Sequence, residues 1–278
     1  MDSKKAAPPL VVALDMGYGH LRAAAPLAEA LGTELLHADK APLADDREQR
    51  HWANARELYE AATRLSTLPL LGPPLRALLA GVTYIPHLHP RRALSAPSSG
   101  ARMLDRFIRR GMGGGLVTKL RETGAPLLTT FYAPAIAADR AGCEHVFCVV
   151  TDTDINRVWA PIDGSRSRIQ YLVPSQRARR RLEAYGVQKE RITFTGFPLP
   201  GALLGGPELP VLKAHLTARL ARLDPRGSFR DMFRDELAHF LGPSPESKPR
   251  PPRIAFAVGG TGTQAELVRV FLPSLREA

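Results

Sequence analysis

The amino-acid sequence predicts an α/β protein built on a doubly wound parallel sheet. Three observations support this fold class. Short apolar segments alternate with segments of helical periodicity along residues 1–200, which is the order of elements that a parallel sheet requires. A glycine-rich turn joins the first apolar segment to the first helical one. Six apolar segments can be read as strands, and six strands fit a single doubly wound domain of about 200 residues.

The predicted elements follow one another in a regular order. An Ala- and Leu-rich helix follows the first strand and runs to Leu31, where Gly32 ends it. An amphipathic helix is predicted over residues 46–68, and another helix over Ser175–Tyr185. The six strands are predicted at residues 10–15, 34–37, 126–130, 146–150, 169–173 and 191–195.

The pattern changes after residue 200, and the sequence predicts three regions. Residues 1–200 form the Rossmann-like domain. Residues 201–252 comprise one or two polar helices over 211–241 and a Pro-rich linker with the sequence GPSPESKPRPP. Residues 253–278 contain a strand at Arg253–Val258, a glycine turn and an amphipathic helix at Gln264–Arg276, the opening βα unit of a second Rossmann-like domain. A lone βα unit cannot bury both faces of its strand, so it joins the first domain or opens a longer protein.

Composition excludes several classes of protein. The chain has 278 residues, 44% hydrophobic and 23% charged, which is enough to bury a large core. No apolar run reaches the roughly 18 residues that span a bilayer, and the N-terminus lacks a secretory pattern, so we expect a cytoplasmic protein. Cys143 and Cys148 flank or lie within an apolar strand and are expected to be reduced core thiols.

The net charge of +11 is concentrated in residues 101–200, which carry 16 Lys and Arg against 9 Asp and Glu. A basic surface favours an anionic partner. The densest basic run is Arg177 with Arg179, Arg180 and Arg181. Nucleic-acid binding calls for interleaved aromatic side chains, which are scarce there, so the run is interpreted as a solvated helix face and no nucleic acid is expected.

The turn Gly17-Tyr18-Gly19-His20 is the first candidate site. Its glycines allow a sharp turn and the close approach of a ligand, and the start of a helix favours an anion. The third glycine of a dinucleotide fingerprint would fall at Arg22, so that fingerprint is broken. At the positive end of a helix dipole His20 is expected to be neutral and able to accept a proton. The alternative is a tight turn with a capping histidine.

Three other motifs leave alternatives open. Asp152 and Asp154 follow a strand and could hold a divalent cation, but no third ligand follows at helical spacing, which favours a strand-end turn. The pair His87 and His89 lies between prolines without a further ligand, and no metal is expected there. Residues 68–112 place apolar side chains, among them Leu70, Leu71, Phe107 and Ile108, next to arginines. Such a pattern is typical of a segment that inserts into an anionic membrane surface, or of a core helix with a charged outer face.

Four segments together resemble the two-Rossmann-domain (GT-B) glycosyltransferases, in particular the group of diacylglycerol glucosyltransferases, monogalactosyldiacylglycerol synthases and the lipid-linked GlcNAc transferase of peptidoglycan synthesis. They stand in the family's order over residues 10–266. The segments are GYGHLRAAAPLAEAL, VVTDTDINRVW, YLVPSQRARRRLEAYGVQKERITFTGFP and IAFAVGGTGTQAE.

The resemblance implies an enzyme at the cytoplasmic face of a membrane that moves a sugar from a UDP-sugar to a lipid acceptor without a metal or other cofactor, with inversion favoured. It makes His20 the acceptor-site histidine and candidate general base. Gly17 and Gly19 match loop glycines near the donor phosphates. The family's diphosphate-facing loop corresponds to Gly259, Gly260 and Thr261, and its acceptor-side loop to Asp152, Asn156 and Trp159.

Two departures from the family set further expectations. The family often has a histidine three residues before the tryptophan, where this chain has Asn156. The family's sugar-nucleotide segments lie about 100 residues or more beyond the second-domain opening, outside residues 1–278. These residues alone are therefore not expected to catalyse sugar transfer. The competing hypotheses are a non-catalytic lipid- or partner-binding protein, and a metal-dependent single-domain glycosyltransferase that uses Asp152 and Asp154.

Overall fold

The structure is a computed structural model that describes residues 7–15, 17–65, 84–88, 94–242, 254–257 and 266–275, with the backbone alone over 58–65. Internal contacts divide the chain into two compact units. The first unit comprises Met1–Pro198 and Val258–Ala278, and the second comprises Leu199–Ala257.

The first unit contains a six-stranded, entirely parallel sheet, which confirms the predicted fold class. The strand order is β2-β1-β3-β4-β5-β6. Each of the six strands predicted within residues 1–200 is present and is shorter than predicted by one or two residues. The strands are β1 (Leu10–Ala13), β2 (Leu35–His37), β3 (Leu127–Thr129), β4 (Val146–Val149), β5 (Gln170–Val173) and β6 (Ile192–Phe194).

The order in which strands are added to the sheet reverses at β1, which is the topological switch point of the fold. The chain leaves β1, crosses to β2 on one side, and then returns to form β3 on the other side of β1. In doubly wound sheets the crevice beyond the carboxyl ends of such a pair of strands is the usual ligand site. The topology therefore directs attention to the loops that follow β1 and β3.

Helices flank the sheet on both faces. Helix α1 is Ala-rich, and it ends where Gly32 adopts a left-handed conformation (φ 62°) and its N–H bonds to the carbonyls of Ala28 and Glu29. Ser175 caps another helix through its hydroxyl, which accepts from the N–H of Ala178 at 3.0 Å. The helices of this unit that precede residue 199 are α1 (Tyr18–Leu31), α2 (Asp46–Leu65), α3 (Ser99–Arg109), α4 (Gly114–Thr123), α5 (Tyr132–Arg140) and α6 (Gln176–Ala184).

The core lies on both faces of the central strands. On one face Val11 and Ala13 of β1 pack with Ala24 and Ala28 of α1. On the other face Val12 belongs to the larger cluster, with residues of α4, α5 and α6. Because alternate residues of β1 are buried on opposite faces, the strand is apolar at every position. The strand could therefore be recognised in the sequence as a continuous apolar run. Cys148 is fully buried in this core, and burial raises the pKa of its thiol; Cys143 is half-buried, and both thiols are free.

The second unit is helical, and it contains more breaks than predicted. The sequence predicted one or two helices over 211–241, whereas three helices cover that region. The helices of this unit are α7 (Gly201–Leu204), α8 (Pro210–Leu223), α9 (Ser228–Met232) and α10 (Arg234–Leu241). Helix α8 ends at Leu223, and Gly227, with a left-handed φ of 77°, occupies the position directly before α9.

The predicted strand at Arg253–Val258 is not formed over its described residues. Residues 254–257 lie outside any strand, and they are exposed. An exposed apolar segment gains none of the burial on which the prediction of a strand rested, which is the physical reason for the difference. A short helix, α11 (Leu267–Phe271), lies within the predicted helical region. Within the described ranges, no helix has the length and apolarity that crossing a membrane requires.

Candidate functional site

The candidate site lies at the carboxyl ends of β1, β3 and β4, where His20 meets the loops that follow these strands. His20 belongs to the first turn of α1, directly after the Gly17 turn that follows β1. Thr130 follows β3, and Thr151 follows β4. His20 therefore occupies the point where the sheet changes direction, which is where doubly wound proteins bind ligands.

One ring nitrogen of His20 is fully engaged. Its Nδ1 lies 2.9 Å from the backbone oxygen of Thr130 and 3.0 Å from Oγ1 of Thr151. The Thr130 hydroxyl in turn donates to the backbone oxygen of His20 at 3.0 Å. Since a carbonyl oxygen only accepts, Nδ1 carries the hydrogen and donates it. The other nitrogen, Nε2, then bears the lone pair, and no side chain or backbone group of the described residues hydrogen-bonds to it.

The environment keeps His20 neutral. Burial lowers the pKa of the imidazole below its usual value, while the bond to Thr130 and the nearby Asp152 oppose that shift. This confirms the neutral histidine that the sequence predicted. The sequence argument assigned the effect to the helix dipole, whereas burial against the neighbouring strands is the main cause. A neutral imidazole with a free Nε2 can accept a proton from a bound hydroxyl.

Asp152 stands beside His20 at the rim of the site. Its side chain is accessible to solvent, yet the protein around the carboxyl removes enough water to raise its pKa. A protonated His20 would act in the opposite direction and lower that pKa. The structure thus brings together His20 and Asp152, two residues that are far apart in the sequence and that were both candidates.

An aromatic wall, defined as Phe131, Tyr132 and Trp159, borders the imidazole. The ring centroids of His20 and Phe131 are 4.8 Å apart and nearly perpendicular. Tyr132 stacks on Phe131 at 4.2 Å and meets Trp159 edge-on at 5.1 Å. Phe131 and Trp159 are buried, and Tyr132 is half-buried, so Tyr132 is the accessible member of the wall. Sequence analysis found Trp159 but missed Phe131 and Tyr132; their place directly after a predicted strand was the available signal.

The loop that carries Trp159 is held by two side chains. Asn156, a predicted acceptor-side residue, accepts from the N–H of Val158 at 3.3 Å and caps the short 3₁₀ turn Arg157–Trp159. Arg157 was not singled out in the sequence, yet it is buried. Its guanidinium donates to the backbone oxygens of Ser95, Ala160 and Ile162 at distances of 2.7 to 3.3 Å. Asn156 therefore shapes the loop, and Trp159 reaches His20, with ring centroids 6.4 Å apart.

Asp154 has a structural partner that the sequence did not reveal. Its carboxylate accepts from Nε and Nη2 of Arg181 at 2.7 and 3.1 Å and from Nε of Arg177 at 2.7 Å. Arg181 is 1% exposed, so its assignment to a solvated helix face was wrong: it lies on the inner face of α6. Both oxygens of Asp154 are engaged, which favours the strand-end turn over a cation site. No cluster of three or more potential metal ligands occurs in the described part of the chain.

The remaining candidates are placed as follows. Gly17 adopts a φ of 141°, and a Cβ added at Gly19 would meet open space, so the backbone is open at both glycines. Tyr18, which lies between them, carries an exposed side chain. Gly259, Gly260 and Thr261 lie outside the described residues, as do His89, Leu70 and Leu71. Ile108 is buried in the core and Phe107 packs against it, so α3 is a core helix with a charged outer face at these positions.

Comparison of the chain with protein-family models, with curated proteins and with solved structures gives no match.

Proposed function

We propose that this chain is the acceptor-binding part of a glycosyltransferase that moves a hexose from a UDP-sugar to the hydroxyl of a membrane lipid. The single observation that carries the proposal is His20: a neutral imidazole, fixed through Nδ1, with Nε2 free at the ligand crevice of a doubly wound sheet. The motif order from the Gly17 turn to the Thr151 loop supports the same assignment.

In the proposed reaction His20 acts as the general base. Its Nε2 takes the proton of the acceptor hydroxyl while the hydroxyl oxygen bonds to the anomeric carbon of the sugar. The bond from that carbon to the UDP oxygen breaks, and UDP leaves with the electron pair. The start of α1 after Gly17 is proposed to stabilise the charge on the leaving diphosphate, and the resemblance assigns the same role to Gly259, Gly260 and Thr261.

The aromatic wall supports an acceptor with an apolar or ring-shaped surface next to its reacting hydroxyl. Tyr132 is accessible beside His20, and aromatic faces pack well against such surfaces. An anionic membrane surface is the proposed partner, since the net charge is +11 and the exposed face of α3 carries Arg102, Arg106 and Arg109.

The proposal is tested by transfer. The reading frame that encodes this chain is expressed in full and assayed with UDP-glucose, UDP-galactose and UDP-GlcNAc against dioctanoylglycerol in mixed micelles. We expect transfer of one of these sugars, and we expect His20→Ala to lower kcat by about 10²-fold or more.

The exposed histidine at position 87 provides the matched control, and His87→Ala should leave kcat unchanged. A normal kcat for His20→Ala would remove the general-base role. Binding of dioctanoylglycerol without transfer of any of the three sugars would instead favour the non-catalytic lipid-binding protein.

A further inference from the structure

The helices of the second unit bury almost none of their own apolar side chains. Among the described residues of α7 to α10, Thr217 alone is buried, and a cavity of about 330 Å³ remains where α8, α9 and α10 meet. These three helices have 14, 5 and 8 residues, and helices shorter than about 12–15 residues are marginal in water unless an apolar face is packed. The apolar side chains of this unit therefore call for a surface that covers them.

One side of α8 forms a first uncovered surface, which we name the leucine face. Leu216, Arg219 and Leu223 follow one another at spacings of three and four residues, so they share one side of the helix. Leu216 is 40% exposed and Leu223 is 71% exposed. Arg222 is exposed beside Arg219 and completes the leucine face. This face thus combines exposed leucines with two cations.

A second uncovered surface, the phenylalanine face, runs over α9 and α10. Its exposed apolar side chains are Phe229, Met232, Phe233 and Phe240. The ring centroids of Phe229 and Phe233 are 4.8 Å apart. Glu236 stands three residues after Phe233 and four before Phe240, so it lies on the same side, and Asp235 is its exposed neighbour. The phenylalanine face thus combines exposed aromatic rings with two carboxylates.

The charges of the two faces indicate what covers them. The ion pairs of the described part of this unit join Arg230 to Asp224 and Arg234 to Asp231. The arginines of the leucine face and the carboxylates of the phenylalanine face form no ion pair with a described residue. An anionic membrane would attract the leucine face but repel the phenylalanine face. A second copy of this chain offers each face an apolar surface of the opposite charge.

We propose that two copies of this chain associate through their second units, with the leucine face of one copy against the phenylalanine face of its partner. A two-fold axis makes this contact twice, because each copy then presents both faces to the other. Each pair of arginines meets a pair of carboxylates, and the apolar side chains of both faces leave water. This association goes beyond the proposed transfer reaction, since it requires neither His20 nor a substrate.

The test is sedimentation velocity of the 278-residue protein at concentrations up to about 0.1 mM. We expect a monomer–dimer equilibrium whose dissociation constant rises with salt, since opposite charges meet in the interface. Arg219→Glu combined with Arg222→Glu should raise that constant about tenfold or more, and so should Asp235→Arg combined with Glu236→Arg. A mixture of these two charge variants should dimerise again, because each face then meets the opposite charge on its partner. A variant that fails to fold cannot be restored in this way.

Matched variants separate these faces from general effects of charge and exposure. Arg166→Glu combined with Lys189→Glu makes the same change in net charge at two exposed positions of the first unit and should leave the dissociation constant unchanged. Phe240→Ser should raise the constant about tenfold, because aromatic side chains dominate interface energies. Tyr18→Ser changes a similarly exposed aromatic side chain outside the second unit and should not raise it.

Three results would overturn the proposal. The first is a wild-type chain that stays monomeric over this range, and the second is a dimer whose dissociation constant neither charge variant changes. The third is a mixture of the two charge variants that stays monomeric. Flotation with phosphatidylglycerol vesicles identifies the other occupant: a monomer that binds these vesicles, and loses binding when Arg219 and Arg222 are both changed to Glu, would assign the leucine face to a membrane instead.

Discussion

At the scale of single residues, burial and hydrogen bonding assign opposite characters to two side chains, one in the turn after β1 and one in the loop after β4. Burial makes the imidazole of His20 neutral and leaves Nε2 open, whereas Asp154 stays ionised because two arginines hold it. Their charges can therefore be tested separately.

The buried, neutral state of His20 should make stability depend on pH. Its folded pKa lies below its unfolded value of about 6.5, so in the interval just below pH 6.5 the unfolded chain binds the extra proton and the folded chain does not. This contribution is present above pH 6.5 and is lost as the pH falls. The free energy of unfolding, measured with urea, should differ less between pH 5 and pH 7 for His20→Gln than for the wild type. An equal difference would mean that His20 does not titrate in this way.

The ion pair between Asp154 and Arg181 should be structural. Asp154→Ala leaves the buried guanidinium of Arg181 without its carboxylate, and breaking a buried pair costs about 3–5 kcal/mol. Arg177→Ala removes the exposed partner of the same carboxylate and should cost less than about 1 kcal/mol. Chemical denaturation of the two variants measures both values. Equal, small effects would contradict the structural role and reopen Asp154 as a ligand-binding residue.

At the scale of elements, the N-termini of α1 and α4 differ in whether a side chain of the protein caps them. The start of α1 leaves the backbone open at Gly17 and Gly19, with the exposed Tyr18 between them, whereas the start of α4 is occupied by the chain's own carboxylate. Glu48 of α2 is buried, and it accepts from the N–H groups of Gly113 and Gly115 at 2.6 and 3.1 Å and from the indole of Trp52 at 3.2 Å. One helix start is thus filled from within, and the other is left for a ligand.

Glu48 should be important for stability. Glu48→Gln places an amide where N–H donors converge, and we expect a loss of about 2 kcal/mol, the size of hydrogen bonds to a charged group. Glu57→Gln, an exposed change on the same helix, should stay within about 0.5 kcal/mol of the wild type. Guanidinium denaturation compares them. If both variants were as stable as the wild type, the hydrogen bonds of Glu48 would not contribute to the free energy of unfolding.

The glycines of the first turn should differ in their roles. Gly19→Ala adds a Cβ into open space inside a helix and should raise stability by about 0.5–1 kcal/mol, yet it should hinder a ligand that approaches the turn. Gly17→Ala forces a side chain onto a φ of 141° and should lower stability by about 1–2 kcal/mol. Thermal unfolding and dioctanoylglycerol binding are measured on both. Unimpaired binding by Gly19→Ala would remove the turn from the ligand site.

At the scale of the whole molecule, the sheet was predictable because central strands such as β1 and β4 are largely buried and therefore appear as unbroken apolar runs. Gly17, Gly19 and His20 could be proposed as candidates from the sequence, since a glycine turn between a strand and a helix lets a ligand approach the backbone closely. Arg181, Glu48 and Tyr132 could not be assigned, because their partners are distant in the sequence and only the folded chain brings them together. Residues 254–257 were misread because apolar composition predicts burial, whereas these residues are exposed.

The most direct test of the proposed role of His20 is the protonation state of its ring, measured by long-range ¹H–¹⁵N NMR across pH and with dioctanoylglycerol added. We expect a hydrogen on Nδ1, an unprotonated Nε2 at pH 7, a pKa below 6.5 and a shift of the Nε2 resonance when the acceptor binds. A hydrogen on Nε2, a pKa above 6.5, or an Nε2 chemical shift that does not change when the acceptor is added would contradict the role of His20 as the base.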